Sequence, residues 1–393
     1  MTLKEELEIL RGEPIEVFNG DPMAIPCIET SDAERLCKHP VVSVHMITYN
    51  HESYIRQAIE GVMIQKADFE FELVIGEDCS QDKTREICFE YQKKYPDKIR
   101  VLWWHENVTR YGGNGRRVTA HCRGEFIAFC EGDDYWIDPL KLQKQVDVMR
   151  KYPNVGLCFC GAKLYNQLSG KMDDWICSAF SSGVISGRKF SLLTIFGRDP
   201  LKGRGNEGFV MTAGLLARSS AWNVANKYFE ICNWMLRVGD TTICLGCSSV
   251  SDVYYLPDQV SVYRITQTGA MGSNGIRVCL DSSVVRLFFA RRVLDLRYGD
   301  IPTAFLQKHF SYIIQECVKL PWAAQIGKML RIIKVRGLRR MLLSVPFLPM
   351  LVVGLSGMIT KFTVRGIHAW WYRIPKHKLS ENLRRYYKGA FDK

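Results

Sequence analysis

Between Val41 and Cys130 the chain alternates strand-length apolar runs with amphipathic stretches of helical length, and few folds accept that rhythm. The apolar runs are Val41 to Ile47, Phe71 to Ile75, Ile99 to Trp103 and Phe126 to Cys130. The helical stretches run from Tyr54 to Gln65 and from Asp82 to Tyr95. Strands this apolar need cover on both sides, so the pattern predicts an α/β fold with parallel strands and helices on both faces of the sheet. Tyr54, Ile55, Ala58, Ile59, Val62 and Met63 recur at helical spacing, opposite Arg56, Gln57 and Glu60, which predicts one stripe packed on the sheet. Asp138-Pro139 supplies a capping acceptor and a residue pre-set for a first helical turn. The helix it announces runs through Leu142, Val146 and Met149 until Tyr152-Pro153. Residues 1–40 carry Pro14, Pro22, Pro26 and Pro40 with no clear period, so they read as a mostly irregular lead-in.

Ligands of an open parallel sheet bind beyond the carboxyl ends of its strands, where loop amides and helix N-termini point. Three polar clusters fall at such ends: Thr48-Tyr49-Asn50-His51-Glu52, Gly76-Glu77-Asp78 and Glu131-Gly132-Asp133-Asp134. Three crowded carboxylates repel one another unless a cation joins them. An all-oxygen donor set selects a hard ion, Mg²⁺ or Mn²⁺, completed by waters and a diphosphate. The alternative is a solvated acidic turn capping the next helix, and the place in the βα series favours the metal. Asp78 suits a ribose or base, or a helix cap, a role that Ser80 or Asp82 already fills nearby. Gly112-Gly113-Asn114-Gly115 with Arg116 and Arg117 reads as a loop suited to a phosphate. His45, His51, His105 and His121 have no acid at readable spacing and read as ordinary polar or packed residues.

The string Val41 to Ile55, then Leu73 to Thr84 (Leu-Val-Ile-Gly-Glu-Asp-Cys-Ser-Gln-Asp-Lys-Thr), then Arg123 to Trp136 resembles family 2 inverting glycosyltransferases of the GT-A fold. Val238-Gly239-Asp240, Val260 to Arg264 and Thr268 to Ser273 look like later motifs of that family, so the likeness covers about residues 41–273. It implies a Rossmann-like mixed sheet with flanking helices. It also implies that Thr48, Tyr49 and Glu52 line a nucleotide pocket, that Asp78 holds the base or ribose, and that Asp133 ligates the metal with Asp134 beside it. The family's usual leading aspartate is Glu131 here. Asp240 matches the general base, in a pair that also suits a helix cap. Arg264 and the loop from Gly269 to Ser273 would close over the diphosphate. The reaction implied is one in-line displacement that moves a sugar from a nucleoside-diphosphate sugar to an acceptor hydroxyl with inversion. Asp240 would take the proton, and the metal with Arg116 or Arg264 would stabilise the leaving group. The acceptor implied is a saccharide or lipid-linked saccharide, as in surface polysaccharide or glycolipid synthesis.

The formal net charge of +12 is unevenly placed, because residues 276–393 hold 22 Lys+Arg against 6 Asp+Glu, a net of +16. Within them residues 341–360 carry no charge but include Pro346 and Pro349. Arg331, Lys334, Arg336, Arg339 and Arg340 flank this run on one side, and Lys361, Arg365 and the Trp370-Trp371-Tyr372-Arg373 cluster on the other. Basic brackets round an apolar, aromatic-rich run predict a helical region lying on the cytoplasmic face of a membrane, peripheral or monotopic; the alternative is a buried helical hairpin. The charges surround an apolar run and no base-stacking pattern accompanies them, so nucleic acid is not expected as a partner. A nucleotidyltransferase is a rival reading, but its Gly-rich activation loop near the start of the fold is missing. The 14 scattered cysteines and the charged start Met1 to Glu5 fit a reducing compartment, with Cys244 and Cys247 as buried thiols. The expected domains are thus the lead-in 1–40, a catalytic domain 41–275 and a basic region 276–393.

Overall fold

In the computed structural model the described residues are 25–109, 113–175, 177, 180–196, 210–232, 239–266, 270–296 and 309. The chain divides into two units, one of Glu16–Arg198 with Asn206–Leu294, the other of Met1–Ile15, Asp199–Gly205 and Asp295–Lys393. All the elements below belong to the first.

Among the described residues the first elements are strand β1 (Ile28–Thr30) and β2 (Val42–Thr48), then helix α1 (Ile55–Met63), β3 (Phe71–Glu77), α2 (Thr84–Lys94) and β4 (Ile99–Trp103). Next come α3 (Gly113–His121), β5 (Phe126–Phe129), β6 (Tyr135–Trp136), α4 (Lys141–Lys151), β7 (Val155–Asn166) and β8 (Lys171–Trp175). The rest comprises β9 (Gly183–Ile185), α5 (Gly187–Phe196), β10 (Leu215–Arg218), α6 (Ser219–Cys232), α7 (Gly239–Ser248), β11 (Asp252–Ile265) and α8 (Ala270–Arg292). One mixed sheet runs β1-β4-β3-β2-β5-β10-β7-β11-β6. Its β4-β3-β2-β5 half is parallel, β1 is antiparallel at that edge, and β10 lies antiparallel between β5 and β7. β3 and β4 follow β2 on one side and β5 returns on the other, so the strand order reverses beside β2. In open sheets of this kind ligands bind beyond the carboxyl ends at such a reversal.

Period-two alternation sends successive side chains of β2 to opposite faces. Val42, Val44 and Met46 are fully buried against Ile55, Ala58, Ile59 and Val62 of α1 and Leu142, Val146 and Met149 of α4. On the other face Phe129, Leu157 and Phe159 pack with Phe190, Trp222, Cys244 and Cys247 from α5, α6 and α7. Gly61 lets α1 lie directly on β6, since a Cβ there would meet the Trp136 main-chain N and O at 2.8 Å. At the amino ends of the strands Glu72, 1% exposed, accepts from Ser43 Oγ at 2.6 Å, Arg123 Nη2 at 2.6 Å and Arg100 Nη1 at 3.3 Å. Satisfied in this way, the buried carboxylate ties three parallel strands together at their amino ends.

The structure departs from the sequence reading in three places. The lead-in supplies a strand, because β1 pairs with β4 and Glu29 binds Arg100. Gly113 to Arg117 form the first half of α3 instead of a loop: Gly76 has no side chain, and Asn114 and Val118 pack into that space. Residues 110–112 lie outside the described set. The boundary at 275 falls inside α8, whose Leu280, Val284, Leu287 and Phe288 are buried and which packs on α5 and α7. Among the described residues no helix is long and apolar enough to cross a membrane; the uncharged run 341–360 lies outside them.

Candidate active site

Two loops at the carboxyl ends of β2 and β3 interlock. Each turns on a residue in the left-handed region, Asn50 at φ 55° and Cys79 at φ 60°. The Asn50 N–H donates to Ser80 Oγ at 3.0 Å, and Asn50 Oδ1 accepts from the Gln81 N–H at 2.8 Å. The Glu52 N–H donates to Asp82 Oδ2, and Glu52 Oε2 accepts from the Lys83 N–H, both at 3.0 Å. Glu52 thereby caps the entry to α2, while Tyr49, 41% exposed, stands at the rim. Asp78 is fully buried, with Oδ1 accepting from the Val108 N–H at 2.7 Å and Oδ2 from the Thr109 N–H at 3.0 Å. It therefore anchors the loop ahead of α3, where the sequence alone suggested a base or ribose contact. Burial raises its carboxyl pKa above the usual value.

The acidic loop packs against this platform. The Cys130 N–H donates to His45 O at 3.1 Å and the Gly132 N–H to Ile47 O at 2.9 Å. A Cβ at Gly132 would lie 2.6 Å from Thr48 Oγ1 and 2.9 Å from His51 Nδ1, so no other residue fits there undisturbed. Asp133 keeps its side chain 24% exposed, with Oδ2 4.0 Å from His51 Nε2. The His51 ring lies 3.2 Å from Thr48 Oγ1 through Nδ1, and burial lowers its pKa. Asp134 turns inward, is 1% exposed, and accepts the Arg264 N–H at 2.9 Å. Arg264 is itself buried, donating through Nη1 to the Asp133 carbonyl at 2.7 Å and through Nη2 to Gln57 Oε1.

Asp240 stands in the first turn of α7, where its Oδ1 accepts the Thr241 N–H and burial raises its pKa. Its charge is felt on the acidic loop. Burial pushes the Glu131 carboxyl from the ordinary 4.5 to about 8, and the charges of Asp133 and Asp240 add to the rise. The Tyr263 hydroxyl is raised by burial and then by Asp134, Asp133, Asp240 and Glu131. One phenol thus feels all four carboxylates. Sequence reasoning missed Tyr263 and His51: both come close to these acids only through folding, and the one local sign was the place of His51 in the Thr48–Glu52 string.

Arg116 lies on α3, whose start is tied to β3 by Asn114 Nδ2 donating to Gly76 O at 3.0 Å, while Arg117 is 1% exposed and stacked at 5.2 Å on the Trp104 ring. Gly269 lies outside the described residues, and the stretch from Ala270 to Ser273 begins α8. Among the described residues no three His, Cys, Asp or Glu side chains are arranged to enclose an ion. The donor chemistry still fits a hard cation: Asp133 is part-exposed among like charges, and an ion held by one carboxylate takes its other oxygens from ligand and water.

The raised Glu131 carboxyl has a consequence for stability. The native state holds its proton up to about pH 8 and the unfolded chain releases it near 4.5, so stability falls as pH rises through that window. Without divalent ions, the Glu131→Gln variant is expected to show a flatter dependence of Tm on pH between those values, with a higher Tm than wild type at pH 8. Parallel pH profiles for the two proteins would contradict it.

The description Glycosyl transferase family 2 matches residues 43–175, from β2 through β8, a stretch that includes both interlocking loops and the acidic loop. These residues form a family 2 glycosyltransferase domain. An uncharacterized protein of Mycobacterium tuberculosis is 42% identical over 118 residues, which is 30% of this chain and 34% of that protein. The putative teichuronic acid biosynthesis glycosyltransferase TuaG of Bacillus subtilis is 31% identical over 137 residues, 35% of this chain and 52% of TuaG. The matched part therefore spans about a third to a half of these relatives. The crystal structure of S. aureus TarS shares the fold at a TM-score of 0.54 and 18% identity, covering 81% of this chain and 53% of that one. The mixed sheet with flanking helices matches the GT-A fold of the glycosyltransferase domain. Asp240, Tyr263 and Arg264 lie beyond the matched stretch.

Proposed function

We propose that the glycosyltransferase domain moves a sugar from a nucleoside-diphosphate sugar to an acceptor hydroxyl with inversion at the anomeric carbon. What supports this reading is the part-exposed Asp133 carboxylate on the acidic loop that follows β5, with Asp240 in the first turn of α7 close enough for its charge to act on Glu131 and Tyr263 as that of Asp133 does. Asp133 would hold a Mg²⁺ or Mn²⁺ ion, which when bound neutralises the charge developing on the leaving diphosphate. Burial raises the basicity of Asp240, and its carboxylate takes the acceptor hydroxyl's proton as that oxygen attacks. Thr48 ends β2 and Tyr49 follows it, 41% exposed, and both would line the nucleotide pocket. Glu52 and Asp78 act one step away, by fixing the loops that shape it.

The acceptor we favour is a saccharide or lipid-linked saccharide of a surface polysaccharide or glycolipid, a reading supported by the likeness to TuaG, a putative teichuronic acid biosynthesis glycosyltransferase. The composition of residues 276–393 adds a membrane surface as a partner. Sedimentation of the full chain with vesicles containing anionic lipid is expected, and equal sedimentation with zwitterionic vesicles at high salt would count against it. For the reaction, uridine, guanosine and thymidine diphosphate sugars are each incubated with the chain, with and without Mn²⁺. Consumption of one class, dependent on the ion, is expected. No consumption of any, or release of pyrophosphate instead, would overturn the proposal.

A further inference from the structure

Arg264 is the residue whose surroundings fit its expected role least. Read from sequence it would close over the donor's diphosphate, yet it is 7% exposed and both terminal nitrogens donate to protein oxygens. Its guanidinium carbon lies 4.5 Å from the Tyr135 ring centroid and 5.3 Å from that of Tyr54. Its own N–H takes Asp134 Oδ1. An arginine that receives a phosphate needs an open N–H edge and a place for the anion. Here the guanidinium is directed at the main chain of the acidic loop.

We infer that Arg264 is a positioning residue: it locks the main chain at Asp133 to α1 through Gln57 and to β11 through Asp134, so that the Asp133 carboxylate faces the cleft. The role rests on the proposed function, in which Asp133 serves the donor diphosphate. Three elements distant in sequence meet at this one side chain, and removing it frees the Asp133 carbonyl. Lysine cannot substitute. A point charge reaches one acceptor at a time and has no planar face to lay against two tyrosines.

The test uses Arg264→Lys and, on the exposed side of α1, Gln57→Leu, with three readouts on the full chain. The first is hydrogen–deuterium exchange of the amides from Gly132 to Trp136. The second is nucleoside diphosphate affinity without Mn²⁺, and the third is kcat for donor consumption. For Arg264→Lys, exchange at those amides is expected to rise about tenfold or more with β2 and β3 unchanged. Metal-free nucleotide affinity should stay at the wild-type value, and kcat should fall about 10²-fold, the scale of a misplaced catalytic group. Gln57→Leu should shift exchange and kcat the same way by less. Unchanged exchange in both variants, with weakened metal-free nucleotide binding in Arg264→Lys, would make Arg264 a phosphate ligand and overturn the inference. A wild-type chain that consumes no donor refutes the proposed reaction instead, and the exchange readout still decides where Arg264 acts.

Discussion

Replacing Asp240 by Asn is expected to lower kcat by between about 10²- and 10⁴-fold, the range for loss of a general base, while donor affinity stays near that of wild type. Asparagine keeps an oxygen for the Thr241 N–H, so the first turn of α7 survives the change. What disappears is a carboxylate able to hold a proton. Burial raises the Asp240 carboxyl above the ordinary range, so the acidic limb of the wild-type kcat profile should lie above that of an ordinary aspartate. The variant should lack that limb. Initial rates of donor consumption across pH, at saturating donor, check both points. A variant with wild-type kcat would remove Asp240 from the reaction.

Asp133→Ala is expected to cost about 10²- to 10³-fold in kcat, the scale of one electrostatic group at a developing charge. Among the carboxylates of the acidic loop, Asp133 is placed to meet a ligand. Asp134 points inward to the Arg264 N–H, and Glu131 keeps its proton to about pH 8. Its side chain, by contrast, is 24% exposed beside His51. The loop main chain should persist in the variant because Gly132 N–H···Ile47 O and Arg264 Nη1–H···Asp133 O do not involve the carboxylate.

The strands β2 to β5 and the helices α1 and α2 could be read from the sequence because each is long enough for its period to declare itself. β10 could not. It is four residues long, and its place between β5 and β7 comes from antiparallel pairing with chain segments about ninety and sixty residues earlier. α3 was hidden by Gly113 and Gly115, poor helix formers; its seat on the sheet is set by Asn114 and Val118 against Gly76 and by Gly115 beside His45. The site shows the same division. The positions of Asp78, Glu52 and Arg264 at strand ends were readable, but whether a carboxylate or guanidinium faces the cleft or a neighbouring loop depends on contacts made by folding. That the first compact unit runs on to Leu294 is hard to read from the sequence for a related reason. Charge counting from residue 276 registers arginines, but not the apolar face of α8, nor Ser282 standing 3.3 Å from Thr241 Oγ1 beside Asp240.

Calorimetric titration of the chain with the nucleoside diphosphate of its accepted donor, with and without Mn²⁺, tests most directly whether Asp133 holds an ion against that ligand. Wild type should bind at least about tenfold more tightly when the ion is present, and Asp133→Ala should bind equally in both conditions. An ion-independent wild type, or an Asp133→Ala variant that keeps the whole gain, would contradict it.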